Sequence, residues 1–91
     1  MVAVKQIAKE FALSEKELLQ QSLRAFLLDR MQLLESERRV RCAKFGVSSL
    51  EEMDELIRKG SVEEEDILED FQNVDYLTTQ IERIQELLEE L

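Results

Sequence analysis

Residues 67–91, ILEDFQNVDYLTTQIERIQELLEEL, decide the fold. Ile67, Val74, Ile81 and Leu88 recur every seven residues, and Leu77, Ile84 and Leu91 follow each of the last three by three. Asp70 occupies the place where the first member of that second series belongs. A β-branched series paired with a mostly leucine series is the seam of a coiled coil. The spacing predicts a helix over about residues 62–91, lying along another helix.

Working back towards the N-terminus, serine–glutamate pairs three residues apart mark helix starts, because each side chain satisfies a free N–H of the first turn. Ser14 with Glu17 is one such pair, Ser48 with Glu51 (or Ser49 with Glu52) a second, and Ser61 with Glu64 a third. Gly46 and Gly60 fall where helices should stop, in the left-handed conformation that glycine adopts freely. These signals predict four helices, at about residues 2–12, 14–45, 49–59 and 62–91. There is no proline, and no alternating Val/Ile/Tyr/Thr run suggests a strand. The expectation is a single all-α domain spanning residues 1–91.

The second and fourth helices, at roughly 30 residues each, would be about 45 Å long at a rise of about 1.5 Å per residue. A compact chain of 91 residues has a radius of gyration of only about 12 Å. Two rods of that length cannot be wrapped by the short helices. They are expected to pair as an antiparallel hairpin, and the hairpin to dimerise into a bundle or coiled coil. The second helix supports this. From residue 18 to 34 it has ten apolar residues in seventeen, Leu18, Leu19, Leu23, Ala25, Phe26, Leu27, Leu28, Met31, Leu33 and Leu34. A stripe that wide meets more than one neighbour. Beyond Leu34 it narrows into Glu35–Arg41, read as a mostly solvated face. The first helix gathers Val4, Ile7, Ala8 and Phe11 on one side, and the third turns Leu50, Met53, Leu56 and Ile57 inward.

Charge is divided unevenly. Residues 1–45 hold nine Lys/Arg and six Asp/Glu, a net of +3. Residues 46–91 hold three and fifteen, a net of −12, giving −9 for the whole chain. That balance opposes binding of nucleic acid or an anionic membrane by the whole surface. The longest apolar run, Ala25–Leu28, is far too short to span a bilayer. Met1–Gln6 lacks a secretory apolar segment, and the single Cys42 allows no internal disulfide. A cytoplasmic protein is expected.

Histidine is absent, so Ser/His/Asp triads, Cys/His dyads and the usual zinc sites are excluded. Cys42 lacks an activating histidine and reads as a buried thiol. Glu52-x-x-Glu55 and Glu63-x-x-Asp66 resemble the paired acidic motifs of all-α nucleoside-triphosphate pyrophosphohydrolases, in which facing helices bind Mg²⁺. Here seven residues, including Gly60 and Ser61, separate the halves, which is short for setting two helix faces against each other. The acids read instead as decoration of a helix N-terminus, with no cofactor, no metal and no catalytic residue.

Two surfaces remain as candidates. The acids Glu63, Glu64, Asp66, Glu69 and Asp70 could steer a basic partner, with Val74, Leu77, Ile81, Ile84 and Leu88 as apolar anchors. Lys5, Lys9, Lys16 and Arg24 could touch nucleic-acid phosphates if the N-terminal helices formed a helix-turn-helix. A third basic group, Arg38, Arg39, Arg41 and Lys44, is expected to pair with the acidic helix of its own chain.

The stretch from Ile7 to Leu18, IAKEFALSEKEL, continued by Ser22–Leu27, resembles the helix–turn–helix portion of ribbon-helix-helix and related small prokaryotic antitoxins. Residues 44–52, KFGVSSLEE, followed by Gly60, an acidic stretch and a terminal amphipathic helix, are similar to a group of small antitoxin-like proteins. The resemblance implies a non-enzymatic partner of a small toxin, often a ribonuclease. The expected function is thus protein–protein interaction: an antitoxin-like homodimer that binds a basic partner through its acidic C-terminal region. A DNA-binding regulator and a purely structural self-associating coiled coil are the alternatives.

Overall fold

The computed structural model describes residues 3–91; the predicted helix start at residue 2 lies outside them. Four helices follow in order, α1 (Val4–Glu10), α2 (Glu15–Ala43), α3 (Leu50–Arg58) and α4 (Glu64–Glu90), with no strand among the described residues. α2 and α4 run antiparallel as a hairpin. Arg41 near the end of α2 meets Asp70 near the start of α4, while Leu87 and Leu91 lie beside Leu23 and Leu27. α3 closes one end of the hairpin and α1 packs on α2 towards the other. The radius of gyration is 19.0 Å and the molecule measures 60 × 25 × 16 Å, as two long rods require.

Local chemistry explains the boundaries. Ser14 Oγ accepts from the Glu17 N–H at 3.0 Å, and Ser49 Oγ from the Glu52 N–H at 3.1 Å. Of the two serines that could cap α3, Ser49 takes the role. The Glu52 carboxylate reaches past it to the Ser48 N–H and hydroxyl. Those two donors, the backbone N–H first, hold the Glu52 carboxyl below its ordinary value of 4.5.

The three inter-helix turns share one closing device. After α2 the Val47 N–H bonds the Cys42 carbonyl and the Gly46 N–H bonds that of Ala43; after α3 the Ser61 and Gly60 N–H groups bond the carbonyls of Leu56 and Ile57. Gly46 and Gly60 both take φ of +68° to do so. The same pattern ends α1, with Leu13 N–H to the Ala8 carbonyl and Ala12 N–H to that of Lys9, but here the left-handed residue is Ala12, at φ 54°. The expected Ser61–Glu64 capping box does not form. Ser61 is engaged in closing α3, so α4 starts later, with Glu63 as its cap residue and no side-chain cap bond.

The core lies at the closed end. Cys42, Met53, Ile67 and Val74 are fully enclosed, ringed by Phe45, Val47, Leu50, Leu56, Ile57, Val62 and Phe71. From there the seam of α4 continues along α2 through Leu77, Ile81 and Ile84, all buried. Each such aliphatic side chain contributes about 1.5–3 kcal/mol of burial.

Two outcomes follow. Ala12→Gly relieves a left-handed alanine and is expected to add about 0.5–1 kcal/mol of stability, read as a higher urea midpoint at unchanged slope. The lowered Glu52 carboxyl stabilises the fold above its unfolded value, and that contribution is lost as pH falls. Glu52→Gln should therefore be less stable than the parent at neutral pH, with the gap closing on acidification below about 4.5, in paired thermal melts.

Candidate functional site

The seam residues of α4 point to α2, not outward. Val74, Leu77, Ile81 and Ile84 are buried in the hairpin, and Leu88 is half-buried at its open end. While the hairpin is closed they meet α2 rather than any partner. Asp70 is also internal. Its Oδ1 accepts from Arg41 Nη1 at 3.0 Å and from Lys44 Nζ at 3.2 Å, with Asp70 only 8% exposed. Two turns further along α4, Arg38 Nη1 donates to Thr78 Oγ1 at 3.3 Å. The Glu35–Arg41 stretch is mostly solvated, as its composition suggests, with Ser36, Glu37, Arg39 and Val40 exposed. Arg38 and Arg41 lie half-buried against α4, because long basic side chains can cover apolar surface and still deliver their charge.

The remaining acids are outside. Glu63, Glu64, Asp66 and Glu69 are exposed around the first turns of α4. The side opposite the seam continues their charge with Glu65, Asp75, Glu82, Glu86 and Glu89, all exposed. Residues 61–91 contain eleven acids and one base, Arg83, which bonds Glu86 at 3.0 Å. Two large side chains interrupt this acidic face, Leu68 at 41% and Tyr76 at 61% exposure. They are about 12 Å apart along the axis at about 1.5 Å per residue. Sequence reasoning missed both, although the signal was available: each lies outside the seven-residue seam.

A second, apolar face runs along α2. Leu19, Phe26, Leu33 and Val40 recur every seven residues and are 56%, 63%, 58% and 64% exposed, with Leu23 at 45% beside them. At the open end Leu23, Phe26 and Leu27 line a groove of about 420 Å³ with Leu87, Glu90 and Leu91. α1 adds exposed Val4, Ile7 and Phe11.

The predicted phosphate contacts Lys5, Lys9, Lys16 and Arg24 are all exposed, but they are spread out. Lys5 and Lys9 ride on α1, Lys16 is in the first turn of α2, and Arg24 borders Leu91 with Gln20 and Gln21. Of the acidic motif halves, Glu52 is engaged by Ser48, and Glu55 bonds Arg58 at 2.6 Å and Lys59 at 3.2 Å. Among the described residues no three acidic or cysteine side chains are placed to hold a metal ion. Burial pushes the Cys42 thiol above its ordinary value, with Arg38 lowering it and Glu52 raising it in lesser measure. No described helix is long and apolar enough to cross a membrane.

These features define an all-α helical hairpin with two unlike exposed faces, one acidic and one apolar. The chain belongs to the Uncharacterized protein MJ0235 family, matched over residues 1–91. No curated protein and no solved structure matches it. The family's description names no antitoxin, so that resemblance rests on the stretches quoted above.

The buried carboxylate offers a direct check on the hairpin's alignment. Asp70→Ala strands Arg41 in a half-buried position and is expected to cost about 1–3 kcal/mol. A double-mutant cycle with Arg41→Ala should return a coupling above about 0.5 kcal/mol, measured by denaturant unfolding.

Proposed function

We propose that this chain is a non-enzymatic protein-interaction module that docks a basic protein surface on the outer face of α4. The observation that carries the reading is the side of α4 opposite the seam, where exposed acids surround Leu68 and Tyr76. Acids arrayed over most of a long helix raise the encounter rate with a basic partner and set its orientation. Tyrosine and leucine then supply the desolvated contact that slows dissociation, tyrosine with little conformational cost. This divides the labour differently from the pattern expected of the sequence. Glu63, Glu64, Asp66 and Glu69 keep the steering role, while Leu68 and Tyr76 replace the buried seam residues as anchors.

Within this reading the partner is toxin-like, and a ribonuclease fits best. A nuclease presents a basic cleft for phosphates, and a helix lined with carboxylates would fill that cleft with matching charge. The module is proposed to act as a homodimer in the cytoplasm, where an unpaired buried thiol such as Cys42 is stable.

Co-purification from the native host tests the proposal, using the parent chain, a Leu68→Ala/Tyr76→Ala variant and a Glu65→Gln/Glu69→Gln/Glu82→Gln variant. A basic protein retained by the parent, released by salt and lost from both variants is the expected result. Equal retention by all three, or no retained protein, refutes it.

A further inference from the structure

We infer that the outer face of α2 is the contact between two copies of this chain, which pair antiparallel with both α2 helices in the centre and both α4 helices outside. The inference deepens the homodimer part of the reading above and does not depend on the basic partner. It starts from thickness. The molecule is only 16 Å deep across its thinnest axis, and only the short α1 and α3 flank the two long helices. Stable domains are built from at least two layers packed over a shared core. α2 is covered by α4 on one side, yet it presents Leu19, Phe26, Leu33 and Val40 on another. A straight helix drifts off a seven-residue repeat within a few turns, so such a repeat implies a partner helix running alongside. The stripe covers 22 residues, about 32 Å from Leu19 to Val40, so the partner must be a rod of similar length. A second α2, itself 29 residues long, is such a rod.

Charge selects the same occupant and its direction. A chain of net −9 repels its own copy, but the repulsion is concentrated in the half that carries α4, at −12, while the half that carries α2 is +3. Pairing through α2 brings the mildly basic halves together and keeps the acidic faces apart. It also leaves Leu68, Tyr76 and the acids of α4 free for a different protein. Between the apolar positions of the stripe lie Lys16, Leu23, Arg30 and Glu37, again seven apart. A parallel pair in register would set Lys16, Arg30 and Glu37 each against its own copy, three like-charge contacts. An antiparallel pair centred near Asp29 takes Lys16 and Glu37 away from their own copies, to face positions near 42 and 21 of the other chain. It also brings Arg30 towards Asp29 and the ring of Phe26, a favourable arrangement of cation, carboxylate and aromatic face.

The test uses the full chain. Sedimentation equilibrium should give about twice the 10.7 kDa chain mass. Phe26→Glu/Leu33→Glu should convert it to a monomer with its helical circular dichroism retained, because both side chains are more than half exposed in the single chain. Leu68→Ala/Tyr76→Ala should leave the dimer mass unchanged, which separates this interface from the one on α4. In a Cys42→Ser background, an equimolar mixture of Ser22→Cys and Ser36→Cys chains should form the crossed disulfide, and Ser22→Cys alone should not. A parent chain that stays monomeric at the highest soluble concentration overturns the inference. So does a dimer indifferent to the α2 substitutions, or one cross-linked through Ser22→Cys alone.

Discussion

Everything in this molecule depends on the burial of one side of α4 against α2. Ile67, Val74, Leu77, Ile81 and Ile84 fill that contact, and Asp70 fixes its alignment by taking Arg41 and Lys44 from across the gap. The aliphatic part is strong but tolerant, since one leucine or isoleucine packs nearly as well one turn up or down. The carboxylate is not tolerant. Shifted by a turn it would face apolar side chains and leave basic groups uncompensated, at a cost of several kcal/mol. The seam thus supplies the energy and the ion cluster supplies the alignment.

That contact also sorts the surface. Once α4 has turned its apolar side inward, its outward side is left with carboxylates and two isolated large residues. α2 cannot hide all of its wide apolar stripe behind one neighbour, so the excess faces away from α4. Two chemically different surfaces on a single hairpin follow from giving α2 more apolar residues than α4 can cover.

Most of the fold was legible in the sequence because its punctuation is local. Ser14, Gly46 and Gly60 act within a few residues of themselves, so spacing alone places them correctly, while it left Ser48 and Ser49 both open as the cap of α3. Ser61 misled because it could cap α4 or close α3, and the choice depends on which backbone groups need partners. Asp70 read as a flaw in the heptad because its meaning lies 26 and 29 residues away, in Lys44 and Arg41. The candidate site was less legible for a similar reason. A seven-residue repeat marks a surface that will be covered without saying by what. The strong repeat on α4 is covered from within, while the weaker one on α2, blurred by Leu18, Leu27 and Leu34 around it, is the exposed one.

Enclosure of the α4 seam declines steadily from the α3 end. Ile67 and Val74 are 0% exposed, Leu77 and Ile81 3%, Ile84 8%, and Leu91 37%. A hairpin held this way is not one block of uniform rigidity. Its backbone amides near α3 should be the slowest to trade hydrogen with water, and those around Leu87 and Leu23 the quickest, because opening from the unlatched tip breaks few contacts at a time. Chain closure follows the same gradient in reverse. Residues 42–74 supply the fully enclosed cluster, and contacts across the bend close fewer residues than contacts at the tip, so the two rods zip from the α3 bend outward, and the tip is both last to close and first to breathe.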